Sequence, residues 1–227
     1  MKLPLSNRLL TCCQFIHPGD RVADIGCDHG YLGIHLLHSG IASSVIAADI
    51  NEGPLQSAVI NARKYGVQKQ ISFYLSDGVR CIPRDFDAMV CAGMGADTMI
   101  SILEAAPWLK DPKYRLILQC QSKRPELRKY LACAGFAISR ETLAKDGRFI
   151  YPVMEVTFAP GSLPAPWEYY ITPQLLNEPS PLFPEFLNRV IGGLEDSAKG
   201  AQLEGSERYN AIADILSHLD TLKGVTP

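Results

Sequence analysis

The sequence predicts an α/β protein built on a parallel sheet, because short apolar runs alternate with segments of helical spacing. The apolar runs are rich in β-branched residues and lie at 21–26, 44–50, 71–76, 87–92 and 115–121. Strands that alternate with helices form parallel sheets, since each helix returns the chain to the edge where the next strand begins. At 227 residues the chain is long enough for one full α/β domain with a small appendage.

Apolar residues at helical spacing predict four helices between or after these strands, at 30–40, 53–66, 96–106 and 124–135. The connection over 78–86 is too short for a full crossover helix. Two further strands are predicted at 136–144 and 149–158, joined at 145–148 by a turn that contains an Asp-Gly step. The predicted sheet therefore has five parallel strands followed by a terminal hairpin.

The composition changes near residue 160, and this change predicts a boundary between residues 1–160 and 161–227. Seven prolines follow it, a density that we expect to continue neither a sheet nor a helix: Pro160, Pro164, Pro166, Pro173, Pro179, Pro181 and Pro184. Two apolar stripes of helical spacing come next, at 183–194 and, after Gly205-Ser206, at 209–219. They predict an antiparallel helical hairpin. Either it packs only on the main domain or on a second copy, or it clamps a substrate.

Composition and charge describe an ordinary soluble protein, with 47% hydrophobic residues, 20% charged residues and a net charge of -2. Residues 1–160 carry 18 basic and 15 acidic side chains, whereas 161–227 carry 4 and 9. The overall charge gives no support to a nucleic-acid partner, and the tail shows no basic face. We expect any anionic partner to meet the first part of the chain.

The cysteines and the N-terminal residues indicate a reducing compartment. The seven cysteines are an odd number without a CxxC pair, which predicts reduced core thiols: Cys12, Cys13, Cys27, Cys81, Cys91, Cys120 and Cys133. The five histidines show no zinc-site spacing, so we expect no metal. The start lacks the apolar segment of a signal peptide, and no apolar run reaches 18 residues. We expect a cytoplasmic protein, as a monomer or weak homodimer, that does not enter a membrane.

The most informative segment is 22–32, in which an apolar run ends abruptly in an acidic turn that contains glycine. Gly26 and Gly30 allow the backbone to approach a ligand closely, and the following helix directs unpaired N–H groups at the same place. A dinucleotide fingerprint would require glycine at position 28, where this chain has Asp28. The turn therefore predicts a nucleotide-binding loop of a different type.

The pattern Asp-x-Gly-x-x-x-Gly, starting at Asp24, resembles motif I of class I methyltransferases, whose sheet the predicted strands also match. Those enzymes bind S-adenosylmethionine, a cofactor that is cationic at its sulfonium and amino groups and carries no phosphate. Carboxylates suit such a ligand. Asp28 could hold the cofactor's ammonium group or cap the next helix. His29 could act as a general base, or it could orient the loop.

Two later strand ends carry further candidates for cofactor binding. Asp49 ends the predicted second strand 23 residues after Gly26, where nucleotide-binding α/β folds place a carboxylate that accepts both ribose hydroxyls, and Ile50 follows it. Asp77-Gly78 closes the third strand. Methyltransferases often have an acidic residue there, near the adenine amino group, although a simple strand-ending turn is the alternative.

Gly93-Met94-Gly95 follows the fourth strand, where class I methyltransferases bring the substrate and the methyl donor together. Two glycines make room for a flat acceptor, although a turn without substrate contact remains the alternative. The Asn/Asp-Pro-Pro-Tyr motif of many DNA amino-group methyltransferases is absent. A ring nitrogen such as adenine N1 needs less help, because its lone pair is available at neutral pH and alignment with the methyl group suffices.

Six segments together resemble the TrmK family of bacterial tRNA (adenine-22-N1)-methyltransferases. They are 5–10, 23–32, Gly53-Pro54, 76–78, 92–95 and 116–119. The resemblance covers about residues 3–158 and implies methyl transfer from S-adenosylmethionine to N1 of an adenine in the D arm of tRNA. It also implies the cofactor-site and acceptor-site residues, which are Asp24, Gly26, Asp28, Asp49 and Asp77 for the cofactor, and Gly93, Met94 and Gly95 for the acceptor.

Other residues of the same segments complete the predicted site. Cys27, His29, Gly30, Ile50, Gly78 and Gly93 are expected to contact the cofactor, and Ser6, Arg8 and Met94 the substrate. Arg8 could meet a phosphate, or it could be a solvated side chain near a terminus. The chain departs from the family pattern at Ala96 and at Cys120-Gln121, and the second change alters a substrate-facing loop. The alternatives are a small-molecule methyltransferase and a non-catalytic protein that binds S-adenosylmethionine.

Overall fold

The computed structural model describes residues 3–178, 180–201 and 206–224 and shows one seven-stranded sheet with helices on both faces. The strands are β1 (Asp20–Ile25), β2 (Ala42–Asp49), β3 (Ile71–Leu75), β4 (Ala88–Met94), β5 (Arg115–Cys120), β6 (Phe136–Asp146) and β7 (Phe149–Phe158). Their order in the sheet is β3-β2-β1-β4-β5-β7-β6; the pairs β5–β7 and β6–β7 are antiparallel, and the other four pairs are parallel. The predicted fold class is confirmed, and strand ends agree with the prediction to within two residues.

The helices are α1 (Asn7–Cys13), α2 (Tyr31–His38), α3 (Glu52–Lys64), α4 (Ala96–Glu104), α5 (Arg124–Cys133), α6 (Pro173–Asn177), α7 (Phe183–Ala201) and α8 (Ser206–Thr221). The sequence prediction found the four helices of the sheet domain and the hairpin of α7 and α8. It missed α1, which has only seven residues. No helix of the described chain is both long and apolar enough to cross a membrane.

The expectation that the proline-rich stretch forms no helix is wrong. A 3₁₀ helix covers Pro166–Tyr169, and α6 begins at Pro173. In both cases proline occupies the first turn, where its missing N–H needs no partner and its fixed φ suits a helix. Thr172 accepts a hydrogen bond from the Leu175 N–H and so caps α6. Pro179 and Gly205 lie outside the described residues.

The sheet places the ends of β1 and β4 next to each other. Ile25 at the end of β1 pairs with Ala48 of β2 on one side and with Cys91 of β4 on the other. The strand order reverses direction at this point, and the loops that follow β1 and β4 leave the sheet side by side. Open α/β sheets bind ligands at such a switch point.

The tail packs against the antiparallel strands β6 and β7. Leu143 and Ile150 of those strands share one buried cluster with the apolar faces of α7 and α8. Arg128 of α5 forms a buried ion pair with Glu141 of β6, and Glu141 also accepts a hydrogen bond from Thr172. The tail therefore shares a core with the sheet domain. The boundary predicted at residue 160 stays a prediction.

All seven cysteines are free thiols, and five of them are buried. Burial raises the pKa of Cys13 and of Cys91 to about 12, so these thiols stay protonated. Cys81 and Cys133 are exposed, and the prediction of core thiols is wrong for these two residues.

Candidate functional site

A cleft of about 560 Å³ opens at the carboxyl ends of β1 and β4. It brings together the loop after β1, the N-terminal segment and the Gly-Met-Gly turn; Gly93 and Met94 are the last two residues of β4, and with Gly95 they are called the turn after β4. Nine of the predicted site residues line it: Ser6, Arg8, Asp24, Gly26, Cys27, Asp28, His29, Gly93 and Met94. Gly30, Asp49, Ile50, Asp77, Gly78 and Gly95 lie outside its lining, as far as the chain is described.

Gly26 and Gly30 both have a left-handed backbone, with φ of +72° and +70°, but they serve different purposes. A Cβ at Gly26 would collide with the Met94 side chain, which lies across the loop in the cleft. A Cβ at Gly30 would lie 2.9 Å from Ala58 Cβ on α3. Gly26 therefore leaves room for the Met94 side chain in the cleft, whereas Gly30 allows α2 to pack closely on α3.

Asp24 is a buried carboxylate on the wall of the cleft. Only 5% of the residue is exposed, and its Oδ2 has no hydrogen-bond partner among the described residues. Burial, together with repulsion from Asp49 and Asp28, raises the pKa of Asp24 to about 7, although a hydrogen bond from the Gly33 backbone opposes the change. A buried acceptor without a partner is costly by itself and fits a cationic ligand.

Asp49 is also buried, and it accepts hydrogen bonds from the backbone N–H groups of Asp28, at 3.1 Å, and Asn51, at 2.9 Å. These two bonds tie the loop after β1 to the end of β2. A carboxylate has about four acceptor positions, so Asp49 can still accept from two hydroxyl groups. Ile50, which follows it, is 62% exposed and offers an apolar surface at the same edge of the sheet.

Asp28 has a φ of +51°, a conformation that aspartate tolerates better than most residues, and its side chain is 70% exposed. Its carboxylate lies 3.6 Å from His29 Nε2. The N-cap of α2 is Gly30, and within the described structure no side chain caps that helix. The alternative role of Asp28 as a helix cap is therefore wrong.

Asp77 and Gly78 follow β3 at the far side of β2 from the cleft. The Asp77 carboxylate is 61% exposed and lies 3.2 Å from Arg80 Nε. Gly78 has a φ of +59°, and a Cβ there would lie 2.8 Å from Ile102 Cγ1. The glycine at position 78 is therefore required by packing, and the Asp77 carboxylate, exposed but paired with Arg80, is the charged group at this strand end.

Gln119, at the end of β5, is a site residue to which the sequence prediction assigned no role. It is fully buried, and its Oε1 accepts hydrogen bonds from the Gly93 N–H and from Arg8 Nη1, both at 3.0 Å. Its Nε2 has no partner in the described structure. The sequence held a signal for this role, since Gln119 is a polar residue that directly follows the apolar run 116–118 of a predicted strand.

Arg8 is anchored at the site rather than solvated. Besides Gln119, it lies 3.6 Å from Asp146 Oδ2 at the tip of the β6–β7 hairpin. Gly93 has a φ of +84°, and a Cβ there would lie 3.1 Å from Arg8 Nη1. The glycine thus lets the guanidinium rest on the backbone of the turn after β4. Ser6 Oγ is buried and, in the part of the chain that is described, has no partner.

The loop after β5 is bonded to the turn after β4. The backbone N–H of Gln121 donates to the Met94 carbonyl at 2.9 Å, and the Ala96 N–H donates to the Ser122 carbonyl at 3.2 Å. A Cβ at Gly95 would lie 2.9 Å from Ser122 Oγ. Gly95 therefore leaves room for this loop. The loop, in which the chain departs from the family pattern, supports the Gly-Met-Gly turn through these hydrogen bonds.

A largely parallel sheet with a ligand cleft at its switch point, lined by an acidic glycine loop, defines a nucleotide-binding α/β protein. The chain belongs to the methyltransferase domain family, whose profile matches residues 5–154. It is 35% identical over 154 residues to the tRNA (adenine(22)-N(1))-methyltransferase of Bacillus subtilis strain 168. That match covers 67% of this chain and 65% of the relative, slightly less than two thirds of the relative's length.

Two solved structures are similar over almost their whole length. The crystal structure of the B. subtilis m1A22 tRNA methyltransferase TrmK has a TM-score of 0.83 and 26% identity, and all of both chains is covered. The structure of a putative tRNA (m1A22) methyltransferase of Streptococcus pneumoniae in complex with S-adenosyl-L-methionine has a TM-score of 0.81 and 30% identity, covering 93% of this chain and 99% of that one. The resemblance to the TrmK family is confirmed.

Proposed function

We propose that this chain transfers a methyl group from S-adenosylmethionine to N1 of an adenine in tRNA, in the cytoplasm. The observation that carries the proposal is one cleft in which carboxylates of the motif I loop face the glycine turn after β4. Similarity to proteins named as tRNA (adenine-N1)-methyltransferases supports the substrate, and position 22 of the D arm is proposed on the same ground.

The residues around the cleft fit the cofactor. When bound, S-adenosylmethionine supplies a methyl group activated by a cationic sulfur. Asp24, with its unpartnered oxygen, and the exposed Asp28 are the anionic groups that would face the cationic part of the cofactor. Asp49 would accept from the ribose hydroxyls, and Ile50 would pack on the adenine ring. The remaining proposed cofactor contacts belong to the same loops, namely Gly26, Cys27, His29, Gly30, Asp77, Gly78 and Gly93.

The turn after β4 would position the acceptor base. Gly93 and Met94 border the cleft, and Gln119 fixes the Gly93 N–H and the Arg8 guanidinium with a single oxygen. Arg8 and Ser6 are placed to contact the substrate, and Gly95 supports the turn from behind. Adenine N1 needs no general base, so catalysis would be mainly proximity and orientation. The methylated ring is cationic, and stabilising that charge is the alternative to cofactor binding as the role of the Asp28 carboxylate.

Methyl transfer to unmodified bulk tRNA tests the proposal. The full chain is incubated with labelled S-adenosylmethionine, the tRNA is digested with nuclease, and the nucleosides are separated. We expect label in 1-methyladenosine. Cofactor binding by calorimetry with no label in any nucleoside would refute the tRNA reaction and favour a small-molecule acceptor or a non-catalytic role. The prediction of a monomer or weak homodimer stays a prediction.

A further inference from the structure

A second groove, of about 570 Å³, lies between the first turn of α5 and the helices α7 and α8. Gln121 and Ser122 belong to its lining, and both are hydrogen-bonded to the turn after β4, so the groove adjoins the proposed acceptor site. Its charged lining residues are five basic and one acidic: Lys123, Arg124, Arg128, Arg189, Arg208 and Glu126. Two of the tail's four basic residues, Arg189 and Arg208, are among them.

Arg124 differs from its neighbours in this groove because it lacks a carboxylate partner. Lys123 pairs with Asp97 at 2.7 Å, and Arg189 pairs with Glu185 at 2.7 Å. Within the described residues, Arg124 forms no ion pair, and its guanidinium carbon lies 5.3 Å from the centre of the Phe186 ring. Burial, followed by repulsion from Arg128, lowers the pKa of Arg124. The groove thus contains a half-buried cation without a counter-ion.

Arg124 also lies at the N-terminus of helix α5, where a positive charge is unfavourable. Helix α5 begins at Arg124 with Lys123 as its N-cap in a left-handed conformation, and no side chain of the described structure caps it. A helix N-terminus carries a partial positive charge that disfavours nearby cations and favours anions. Arg128, in the second turn, is only 4% exposed; its terminal nitrogens pair with Glu141 and donate to two backbone carbonyls, and only its Nε has no partner in the described structure.

The unpaired Arg124 guanidinium, the uncapped amino end of α5 and the unpartnered Arg128 Nε each oppose folding, yet all three favour the binding of an anion beside the acceptor site. We propose that the groove binds a phosphate of the RNA backbone, with Arg124 and the amino end of α5 as its contacts and Arg128 behind them. The identity of the anion as RNA rests on the proposed function, since tRNA is the polyanion that the reaction would bring to this edge. The site is a binding contact and takes no part in methyl transfer itself.

The test compares Arg124→Gln with Arg84→Gln in the full chain. Arg84 is a matched control because its guanidinium also packs on a ring, 4.8 Å from the centre of Trp108, and it precedes β4 at the opposite edge of the sheet. Binding of fluorescently labelled, unmodified tRNA is measured by anisotropy in the presence of S-adenosylhomocysteine, between 50 and 200 mM salt. Arg124→Lys is included because it keeps the charge.

Loss of one phosphate contact reduces the slope of log K against log salt by about one unit. We expect this decrease for Arg124→Gln. The ratio of the tRNA affinity of the unmodified chain to that of Arg124→Gln should therefore fall by about fourfold when the salt concentration rises fourfold. Arg84→Gln should keep the original slope, and Arg124→Lys should recover most of it. Affinity for S-adenosylhomocysteine should be equal in all four proteins.

If Arg124→Gln and Arg84→Gln show equal slopes of log K against log salt and the unmodified chain still methylates tRNA, the proposal that the groove binds phosphate is refuted. The proposed function then stands. An Arg124-dependent slope without any methylation would support the groove and refute the function. Lower affinity of Arg124→Gln for S-adenosylhomocysteine, or a melting temperature well below that of Arg84→Gln, would show a structural role for Arg124 and count against the groove.

Discussion

The two edges of the sheet differ in whether their buried polar groups have partners, although the same strands form both edges. At the amino edge, where β1, β4 and β5 begin, the charges are paired. Arg115 contacts Asp20 and Glu155 and donates to the Phe15 carbonyl at 2.9 Å. Arg21 pairs with Asp87 through two side-chain hydrogen bonds, at 3.1 and 2.9 Å.

At the carboxyl edge, polar groups stay unsatisfied and the backbone is bent into left-handed conformations. Asp24 Oδ2 and Gln119 Nε2 are buried without partners among the described residues. Gly26, Asp28 and Gly93 all have positive φ. Buried polar groups are usually hydrogen-bonded, because each unpaired one costs free energy. The comparison shows that the mostly buried ion pairs at the amino edge serve stability, whereas buried polar atoms without partners lie at the edge that meets ligands.

The largest expected effect is at the amino edge, where Arg115→Gln should lower the free energy of unfolding by about 4 kcal/mol, since it leaves two mostly buried carboxylates without their partner. Urea denaturation measures this loss, and calorimetry should show unchanged affinity for S-adenosylhomocysteine. If Arg115→Gln instead weakened cofactor binding and left stability unchanged, the conclusion that the amino edge serves stability would be contradicted.

The next effect concerns the pH dependence of stability caused by Asp24, whose pKa is raised to about 7. Between an ordinary value near 4 and pH 7, the folded state binds more protons than the unfolded state, so the free energy of unfolding falls as pH rises. From pH 5 to pH 8 this residue should account for about 3 kcal/mol of that fall. Asp24→Asn should remove it, which urea titrations at both pH values measure. Parallel pH profiles for both proteins would contradict the prediction.

Asp49→Asn tests the carboxyl edge through ligand affinity. The amide keeps an acceptor oxygen for one backbone N–H but loses the charge that strengthens bonds to ribose hydroxyls. We expect affinity for S-adenosylhomocysteine to fall roughly 30-fold, or about 2 kcal/mol. The matched control is Asp87→Asn at the amino edge, which should leave calorimetric affinity unchanged. Equal losses in both variants would show that Asp49 acts through stability alone.

The smallest effect is expected at Asp146, which lies 3.6 Å from Arg8 across a partly exposed ion pair. Such pairs contribute below about 1 kcal/mol, so Asp146→Asn should lower kcat/KM for tRNA by only about twofold to threefold. Steady-state kinetics with varied tRNA measure the change, and KM for S-adenosylmethionine should not move. A loss of a hundredfold or more would make Asp146 part of the site rather than a support for Arg8.

Much of the sheet and of the cofactor side of the cleft could be predicted from adjacent residues. The alternation of apolar runs with helical segments is a local pattern, and it predicted the five parallel strands and the terminal hairpin. The glycines at 26 and 30 and the carboxylate at 49 follow strand ends, which a local pattern also locates. Such features depend on backbone preference and periodicity within a few residues.

The acceptor side and the basic groove were decided by the tertiary structure. Arg8 and Gln119 are 111 positions apart, and only the packing of α1 against the end of β5 joins them. The groove likewise combines α5 with two helices of a tail that is acidic overall, so net charge pointed away from it. By itself the sequence determined the positions of the strands along the chain and the motif I loop, because both follow from neighbouring residues. Which charges are paired and which are left for a ligand depends on segments that meet only when the chain folds.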